Sequence, residues 1–229
     1  MEARLASTIR NFYDGHLKDR HEDPQDPMCL GWTSRDRQEI RFEVLCAAAG
    51  VVPAREGWRQ RDDAGDPLPF PPAAAPRMSV LDAGCGFGDL RGWLTARGAD
   101  VRYVGTDMLP KMVETARAKW PAARFDLGNP AELYAPESFD WTLASGFVCV
   151  YAGQARVAHL RETAESLLRL SKTGCAFNLL DARTVAQEGA LLSYGQDEAL
   201  AACHGLGAHV ALIDGYLDND FTVVLRRKS

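Results

Sequence analysis

The sequence predicts an α/β fold in which a mostly parallel sheet of seven strands ends in an antiparallel hairpin. Apolar runs of strand length alternate with amphipathic, helix-length segments from residue 78 onward, and this alternation is typical of right-handed βαβ units. A turn containing three glycines follows the first apolar run directly. Only a short turn separates the last two runs, and a short turn permits antiparallel pairing but no parallel crossover.

The apolar pattern gives the bounds of each element. Strands are predicted at 78–82, 101–106, 122–126, 139–144, 175–180, 207–214 and 220–226. Helices are predicted at 89–97, 110–119, 155–170 and 196–204, where apolar residues recur with helical spacing. Residues 78–229 therefore form the main domain in this prediction.

Residues 1–50 are predicted to be helical and to precede the main domain. The apolar positions within 3–17 have helical spacing. Thr33 or Ser34 can cap a second helix, which is expected to stop at Gly50.

Residues 51–77 differ in composition from both neighbours. They hold six of the twelve prolines of the chain, and proline removes a backbone donor. We therefore expect no regular strand pairing here, and we interpret the segment as a linker or a long surface loop.

Composition narrows the class of protein. The 229 residues carry a net charge of -5, which argues against a broad nucleic-acid surface because such surfaces are basic. Neither a membrane-spanning run nor the apolar core of a signal peptide is found. The six cysteines lack C-x-x-C spacing, so we expect reduced thiols, no metal site and a cytoplasmic location.

The glycine turn is the strongest candidate for a binding site. Asp82 closes the first apolar run, and Gly84, Gly86 and Gly88 follow at every second position. Glycine permits positive φ and lets a bound molecule lie against the backbone. A helix predicted to begin at Asp89 would present unpaired N–H groups to that molecule.

The stretch from Asp82 to Gly88 resembles motif I of the class I S-adenosylmethionine-dependent methyltransferases. A dinucleotide fingerprint has G-x-G-x-x-G, whereas this turn has G-x-G-x-G with an acid two residues before it. The resemblance implies a Rossmann-like fold with a reversed last strand and S-adenosylmethionine as cofactor, leaving S-adenosylhomocysteine. It also implies that Asp82, Gly84, Cys85, Gly86 and Gly88 bind this cofactor.

Asp107 follows the second predicted strand and lies 19 residues after Gly88. A carboxylate at this place can accept hydrogen bonds from both hydroxyls of a ribose, as it does in NAD-binding folds. The alternative is an N-cap for the helix that starts near Pro110. With the glycine turn upstream we favour ribose binding, and Met108 would then lie beside the adenine.

In many members of the family an acidic residue after the third strand meets the adenine amino group. Asn129 stands at that spacing here, and its side-chain oxygen can accept from the amine. Asp126 is the rival if the strand ends earlier, and a simple Asn-Pro turn is the third interpretation.

Residues after the fourth and fifth strands also belong to the carboxyl end of the sheet, where open α/β sheets bind ligands. Ser145 is expected to contact the cofactor there. Phe147, Cys149 and Tyr151 would form an apolar, aromatic loop near the methyl group. Asn178 either orients an acceptor or satisfies local backbone groups.

The N-terminal segment resembles the helical lid of bacterial small-molecule methyltransferases. The resemblance rests on residues 13–17, on Gly31-Trp32-Thr33-Ser34, and on Gln38 and Arg41-Phe42. It implies that Arg41 pairs with the methionine carboxylate of the cofactor, while Trp32 and Gln38 close over it. The alternative is that Arg41 is a solvated charge on a helix.

Methyl transfer from a sulfonium is a direct in-line displacement, so the protein mainly aligns the reactants and excludes water. A general base is required only if the acceptor must lose a proton early. His16 is the first candidate, because its ordinary pKa suits neutral pH, and Tyr13 is the second. A histidine that is merely packed or solvated is the alternative.

The sequence therefore predicts a methyltransferase that acts on a small molecule. An NAD(P)-dependent or other nucleotide-binding Rossmann enzyme is the main alternative, although the glycine spacing disfavours it. A methyltransferase-like binding module is a further alternative. An RNA or protein methyltransferase is the last alternative. The acidic balance disfavours RNA, and Ala144-Ser145-Gly146-Phe147 stands where enzymes that methylate exocyclic amines of nucleic acids carry an N-P-P-Y-type tetrapeptide.

Overall fold

A computed structural model of the chain describes residues 11, 13, 23, 26–73, 77–149, 155–185 and 192–228. Asn11 and Tyr13 are helical; the rest of the helix predicted at 3–17 lies outside the described residues. His16 and Tyr151 also lie outside them.

The described helices and strands alternate as the apolar pattern predicts. The α-helices are α1 (Arg35–Ala48), α2 (Asp89–Ala96), α3 (Pro110–Lys119), α4 (Pro130–Leu133), α5 (Arg156–Arg169) and α6 (Gln196–Cys203). The strands are β1 (Arg59–Asp62), β2 (Ser79–Ala83), β3 (Arg102–Asp107), β4 (Arg124–Leu127), β5 (Phe139–Ala144), β6 (Ser171–Asp181), β7 (Ser193–Tyr194), β8 (Ala208–Asp214) and β9 (Asp220–Arg227).

One mixed sheet joins these strands in the order β1-β8-β9-β6-β5-β2-β3-β4, and β7 pairs with β6. Within the run β6-β5-β2-β3-β4 of this sheet, each strand is parallel to the next. β9 lies between β6 and β8 and is antiparallel to both. The mostly parallel sheet with a reversed last strand is thus confirmed.

The described residues form nine strands where seven were predicted. The two additional strands are short and have no apolar pattern by which the sequence could identify them. β1 pairs antiparallel with β8, with Arg59 opposite Asp214, so the expectation that 51–77 has no regular pairing is wrong at this place. β1 contains no proline. It is a charged edge strand, so apolar and polar residues do not alternate along it in the way that predicts a strand. β7 has two residues, too few for any periodicity.

Helices cover both faces of the sheet. The core on one face joins α1, α2 and α3 to the sheet, and the core on the other joins α5 and α6. Ser34, not Thr33, caps α1: its Oγ accepts from the Arg37 N–H at 3.2 Å. Among the described residues no helix is long and apolar enough to cross a membrane.

Candidate functional site

A cavity opens where β2, β3 and β5 end, and we call it the strand-end cavity. It consists of two adjoining hollows that share Tyr13, Gly84, Asp107 and Ser145. The end of β2, the glycine turn and the start of α2 contribute Asp82, Gly84, Cys85, Gly86 and Asp89. The ends of β3 and β5 and the residues that follow them contribute Asp107, Met108, Ser145, Gly146 and Phe147. The N-terminal part contributes Tyr13, Leu30, Trp32 and Gln38. Eleven of the residues proposed from sequence therefore meet in one place: Tyr13, Trp32, Gln38, Asp82, Gly84, Cys85, Gly86, Asp107, Met108, Ser145 and Phe147.

The glycine turn is built as its sequence requires. Gly84 has φ +73°, and a Cβ there would lie 2.6 Å from Cδ2 of Phe147. Gly88 has φ +72° and is the N-cap of α2, where a Cβ would lie 2.7 Å from Cζ of Phe125. Both positions exclude a side chain on steric grounds as well as conformational ones, so the bare backbone forms the wall at Gly84.

Asp82 and Asp107 are buried carboxyl groups. Asp82 accepts a hydrogen bond from Oη of Tyr103 at 2.6 Å, and burial raises its pKa to about 7 in spite of that bond. Burial also raises the pKa of Asp107, to about 6, although backbone N–H groups of Leu109 and Gly86 donate to it. A cationic ligand would favour the ionised form of both groups.

Asp107 does not act as the N-cap of α3. Leu109 holds that place, and the N–H of Leu109 donates to Oδ1 of Asp107 at 2.9 Å. The carboxylate thus supports the start of the helix from two residues upstream while lining the cavity.

The described lining of the cavity is acidic. Asp89 joins Asp82 and Asp107 in its wall, and Nζ of Lys119 lies 2.5 Å from Oδ1 of Asp89. No lysine or arginine is among the described residues that line it. The site is therefore suited to a cation and not to a diphosphate.

Two polar atoms in the wall find no hydrogen-bond partner among the described residues. They are Oε1 of Gln38 and Oγ of Ser145, both buried, while Nε2 of Gln38 donates to Asp89 at 3.0 Å. Buried polar groups are normally satisfied. These two are therefore positions where a polar ligand would supply the missing bond.

The side chain of Arg41 is neither exposed to solvent nor part of the cavity wall, the two positions that the sequence-based interpretations required. Its side chain is 5% exposed and forms an ion pair with Asp220, so the solvated alternative is wrong. It does not line the cavity; instead its guanidinium lies 4.9 Å from the ring centroid of Trp32, which does. Asp220 was missed because it is 179 residues away along the chain.

Asn129 and Asp126 also lie outside the cavity lining. Oδ1 of Asn129 accepts from the Ala131 N–H at 3.0 Å and caps α4, which is the Asn-Pro turn. Asp126 accepts hydrogen bonds from Tyr134 and Arg124. Asn178 satisfies its neighbours locally, because its Nδ2 donates to Oγ1 of Thr222 at 2.8 Å.

Several features of the cavity bear on chemistry. Burial and the nearby Asp82 raise the pKa of the Cys85 thiol well above its ordinary value, so the thiol stays protonated and is a poor nucleophile.

Asp89 and Leu30 line the cavity but were not identified from the sequence. Asp89 was identifiable, since it is the first helical residue after the glycine turn; Leu30 carries no local signal.

Comparison with known proteins supports one family. A family model described as a methyltransferase domain matches residues 80–169. A protein of Mycobacterium tuberculosis, provisionally assigned as a methyltransferase, is 31% identical over 166 residues, which are 68% of this chain and 97% of that protein.

Solved structures share the fold. An S-adenosylmethionine-dependent methyltransferase from Clostridium acetobutylicum superposes with a TM-score of 0.60 at 9% identity, covering 93% of this chain and all of the other. The magnesium protoporphyrin IX methyltransferase of Synechocystis, solved with S-adenosylhomocysteine bound, gives 0.52 at 16% identity, covering 67% of this chain and 75% of the other.

Proposed function

We propose, since this chain belongs to the class I S-adenosylmethionine-dependent methyltransferases, that it transfers the methyl group of this cofactor to a small-molecule acceptor in the strand-end cavity. The observation that carries the proposal is the pairing of a bare glycine turn with three carboxylates and no basic lining among the described residues. S-adenosylmethionine has a sulfonium and an ammonium group and no phosphate. An NAD-type ligand would place a diphosphate in the same negative field.

Each part of the cavity has a role in this proposal. Asp107 accepts hydrogen bonds from the ribose hydroxyls, and Met108 lies beside the adenine. Gly84, Cys85 and Gly86 give the cofactor a flat backbone wall next to Asp82, and Gly88 shapes the entry to α2. Oε1 of Gln38 accepts a hydrogen bond from the ligand, and Oγ of Ser145 accepts or donates one.

The adenine contact expected of Asn129 stays a prediction. Its Oδ1 already accepts one hydrogen bond, but an amide oxygen has a second lone pair. The direct contact of Arg41 with the methionine carboxylate is replaced in this account by a supporting role behind Trp32, for which the ion pair with Asp220 is the reason.

The chemistry needs little from the protein beyond positioning. When bound, the cofactor supplies a sulfonium that activates its methyl group for direct displacement. The walls of the cavity exclude water and hold the two reactants in line. Tyr13 lines both hollows, which supports a contact with the acceptor. His16 remains the proposed base for acceptors that must lose a proton.

A small acceptor fits the surroundings of the expected methyl position. Tyr13, Met108 and Phe147 give one hollow an apolar and aromatic wall. The N-terminal residues Leu30, Trp32 and Gln38 cover the glycine turn, which supports a lid function for residues 1–50. We also propose a cytoplasmic location, since Cys29, Cys46, Cys85, Cys175 and Cys203 are buried, free thiols.

Thermal unfolding in the presence of ligands tests the proposal. S-adenosylhomocysteine at about 100 times its Kd should stabilise the native state by about 2.7 kcal/mol and raise the Tm, because it binds only the folded chain. NAD at the same concentration should leave the Tm unchanged. The reverse pattern would refute the proposed cofactor and favour the nucleotide-binding alternative.

A further inference from the structure

The Trp32 ring stands between the strand-end cavity and Arg41. Its edge packs against the backbone that follows β5, where a Cβ on Gly146 would lie 2.9 Å from Cη2 of the ring. Cζ of Arg41 lies 4.9 Å from the ring centroid, which is within the range of a cation–π contact. The guanidinium therefore contacts Trp32, a side chain of the cavity wall, but does not itself line the cavity.

Arg41 is held in this orientation by three hydrogen bonds. Nε donates to Oδ2 of Asp220 at 2.8 Å, and Nη2 donates to the same oxygen. Nη1 donates to the backbone oxygen of Arg37 at 2.7 Å. The side chains of Arg41 and Asp220 are 5% and 1% exposed. Since desolvation offsets much of the attraction in a buried ion pair, the firm result of this arrangement is a fixed guanidinium.

Asp220 is in turn held from the side of the last hairpin. Oη of Tyr216 donates to Oδ1 of Asp220 at 3.2 Å and lies 2.9 Å from Oγ1 of Thr222. The ring of Trp58, from the segment between α1 and β2, packs edge-on against Tyr216 with centroids 6.2 Å apart. The ion pair is thus supported by parts of the chain that do not line the cavity.

We propose that Arg41 is a positioning residue, anchored by Asp220, that holds the Trp32 ring in the wall of the cavity and thereby strengthens cofactor binding. The inference rests on the proposed function, because it takes S-adenosylhomocysteine to occupy this cavity. It differs from direct pairing of Arg41 with the cofactor carboxylate, because it predicts that Arg41 acts only through Trp32.

A double-mutant cycle in ligand affinity separates the two possibilities. The Kd of S-adenosylhomocysteine is measured by calorimetry for the wild type, Arg41→Lys, Trp32→Leu and the double variant. Lysine keeps the charge but loses the planar, bidentate group, so Arg41→Lys should raise the Kd roughly fivefold. In the Trp32→Leu background the same change should alter the Kd by less than about twofold, since no ring remains to be held. Arg35→Lys, an exposed change at the start of the same helix, should leave the Kd unchanged.

Equal effects of Arg41→Lys in both backgrounds would overturn the proposal, as would no effect in the wild type. Urea unfolding checks that each variant is folded. If Arg41→Lys does not fold, a double variant with Arg41→Met and Asp220→Asn removes both charges of the ion pair at similar side-chain volume. This variant should weaken binding of S-adenosylhomocysteine as much as Trp32→Leu does. Wild-type affinity in this variant would overturn the proposal. A wild type that binds no S-adenosylhomocysteine would refute the proposed function itself, a result distinct from an additive cycle.

Discussion

Gly86 donates its backbone N–H to Oδ2 of Asp107 at 3.0 Å, which joins the glycine turn after β2 to the end of the neighbouring strand β3. Oδ1 of the same carboxylate accepts from the N–H of Leu109. An ionised carboxylate has about four lone-pair sites, so two remain for the hydroxyls of a sugar. The glycine turn and the carboxylate are thus joined by a direct hydrogen bond at the cavity wall.

Asp107→Ala should weaken binding of S-adenosylhomocysteine at least tenfold, because hydrogen bonds to a charged group contribute about 1.5–3 kcal/mol each. Calorimetry measures the Kd, and urea unfolding reports the separate loss of the bond to Gly86. Asp63→Ala, at an exposed position, is the control. A folded Asp107→Ala protein with wild-type affinity would show that this carboxylate does not hold the cofactor.

Gly84→Ala and Gly98→Ala form a matched pair that separates backbone strain from collision. Both glycines have positive φ, +73° and +64°, but only at Gly84 would a Cβ meet another side chain, Phe147, at 2.6 Å. Each change should cost about 1–2 kcal/mol for the left-handed backbone. Gly84→Ala should cost more and should also weaken ligand binding, because it displaces the cavity wall.

Urea unfolding and calorimetry on both variants check this expectation. Equal losses of stability, together with unchanged affinity in Gly84→Ala, would mean that Phe147 moves away at no cost and that the turn need not be bare.

The raised pKa of Asp82 leads us to predict that the free energy of unfolding depends on pH. Burial raises its pKa from the ordinary 3.8 to about 7, so in this range the unfolded chain ionises while the folded chain keeps the proton. The stability contributed by this group is therefore fully present below pH 3.8 and is lost as the pH rises through about 7. Asp82→Asn cannot ionise and keeps an oxygen that accepts from Tyr103.

We expect the free energy of unfolding of the wild type to fall relative to that of Asp82→Asn as the pH rises, and the difference to level off above about 7. Urea unfolding at one-unit intervals from about pH 5 to about pH 8 measures it. Parallel curves for the two proteins would show that Asp82 is ionised throughout, with no raised pKa.

All seven predicted strands occur in the sheet. Most are buried apolar runs, such as β2 and β9, and the short, half-exposed β4 still keeps Phe125 buried. β1 was not predicted, since Arg59-Gln60-Arg61-Asp62 has no apolar alternation and is a strand only because β8 provides a pairing edge. Such an edge is a property of the assembled sheet, which local sequence does not contain.

The same distinction applies to the cavity. Asp82 and Asp107 lie at the carboxyl ends of their strands and Ser145 directly follows its own, so the rule that parallel strands end at one edge was enough to bring them together. The ion pair of Arg41 with Asp220 joins an N-terminal helix to the last strand, and no periodicity or spacing links the two. Sequence alone therefore identified Arg41 but not its partner Asp220.

A crystal structure of the protein with S-adenosylhomocysteine tests the central claim most directly. The account predicts the ligand in the strand-end cavity, with both ribose hydroxyls on the carboxylate of Asp107 and the backbone of Gly84 and Gly86 against the ligand. A ligand bound elsewhere, or a sugar held by other residues while Asp107 keeps only its bonds to Gly86 and Leu109, would contradict it.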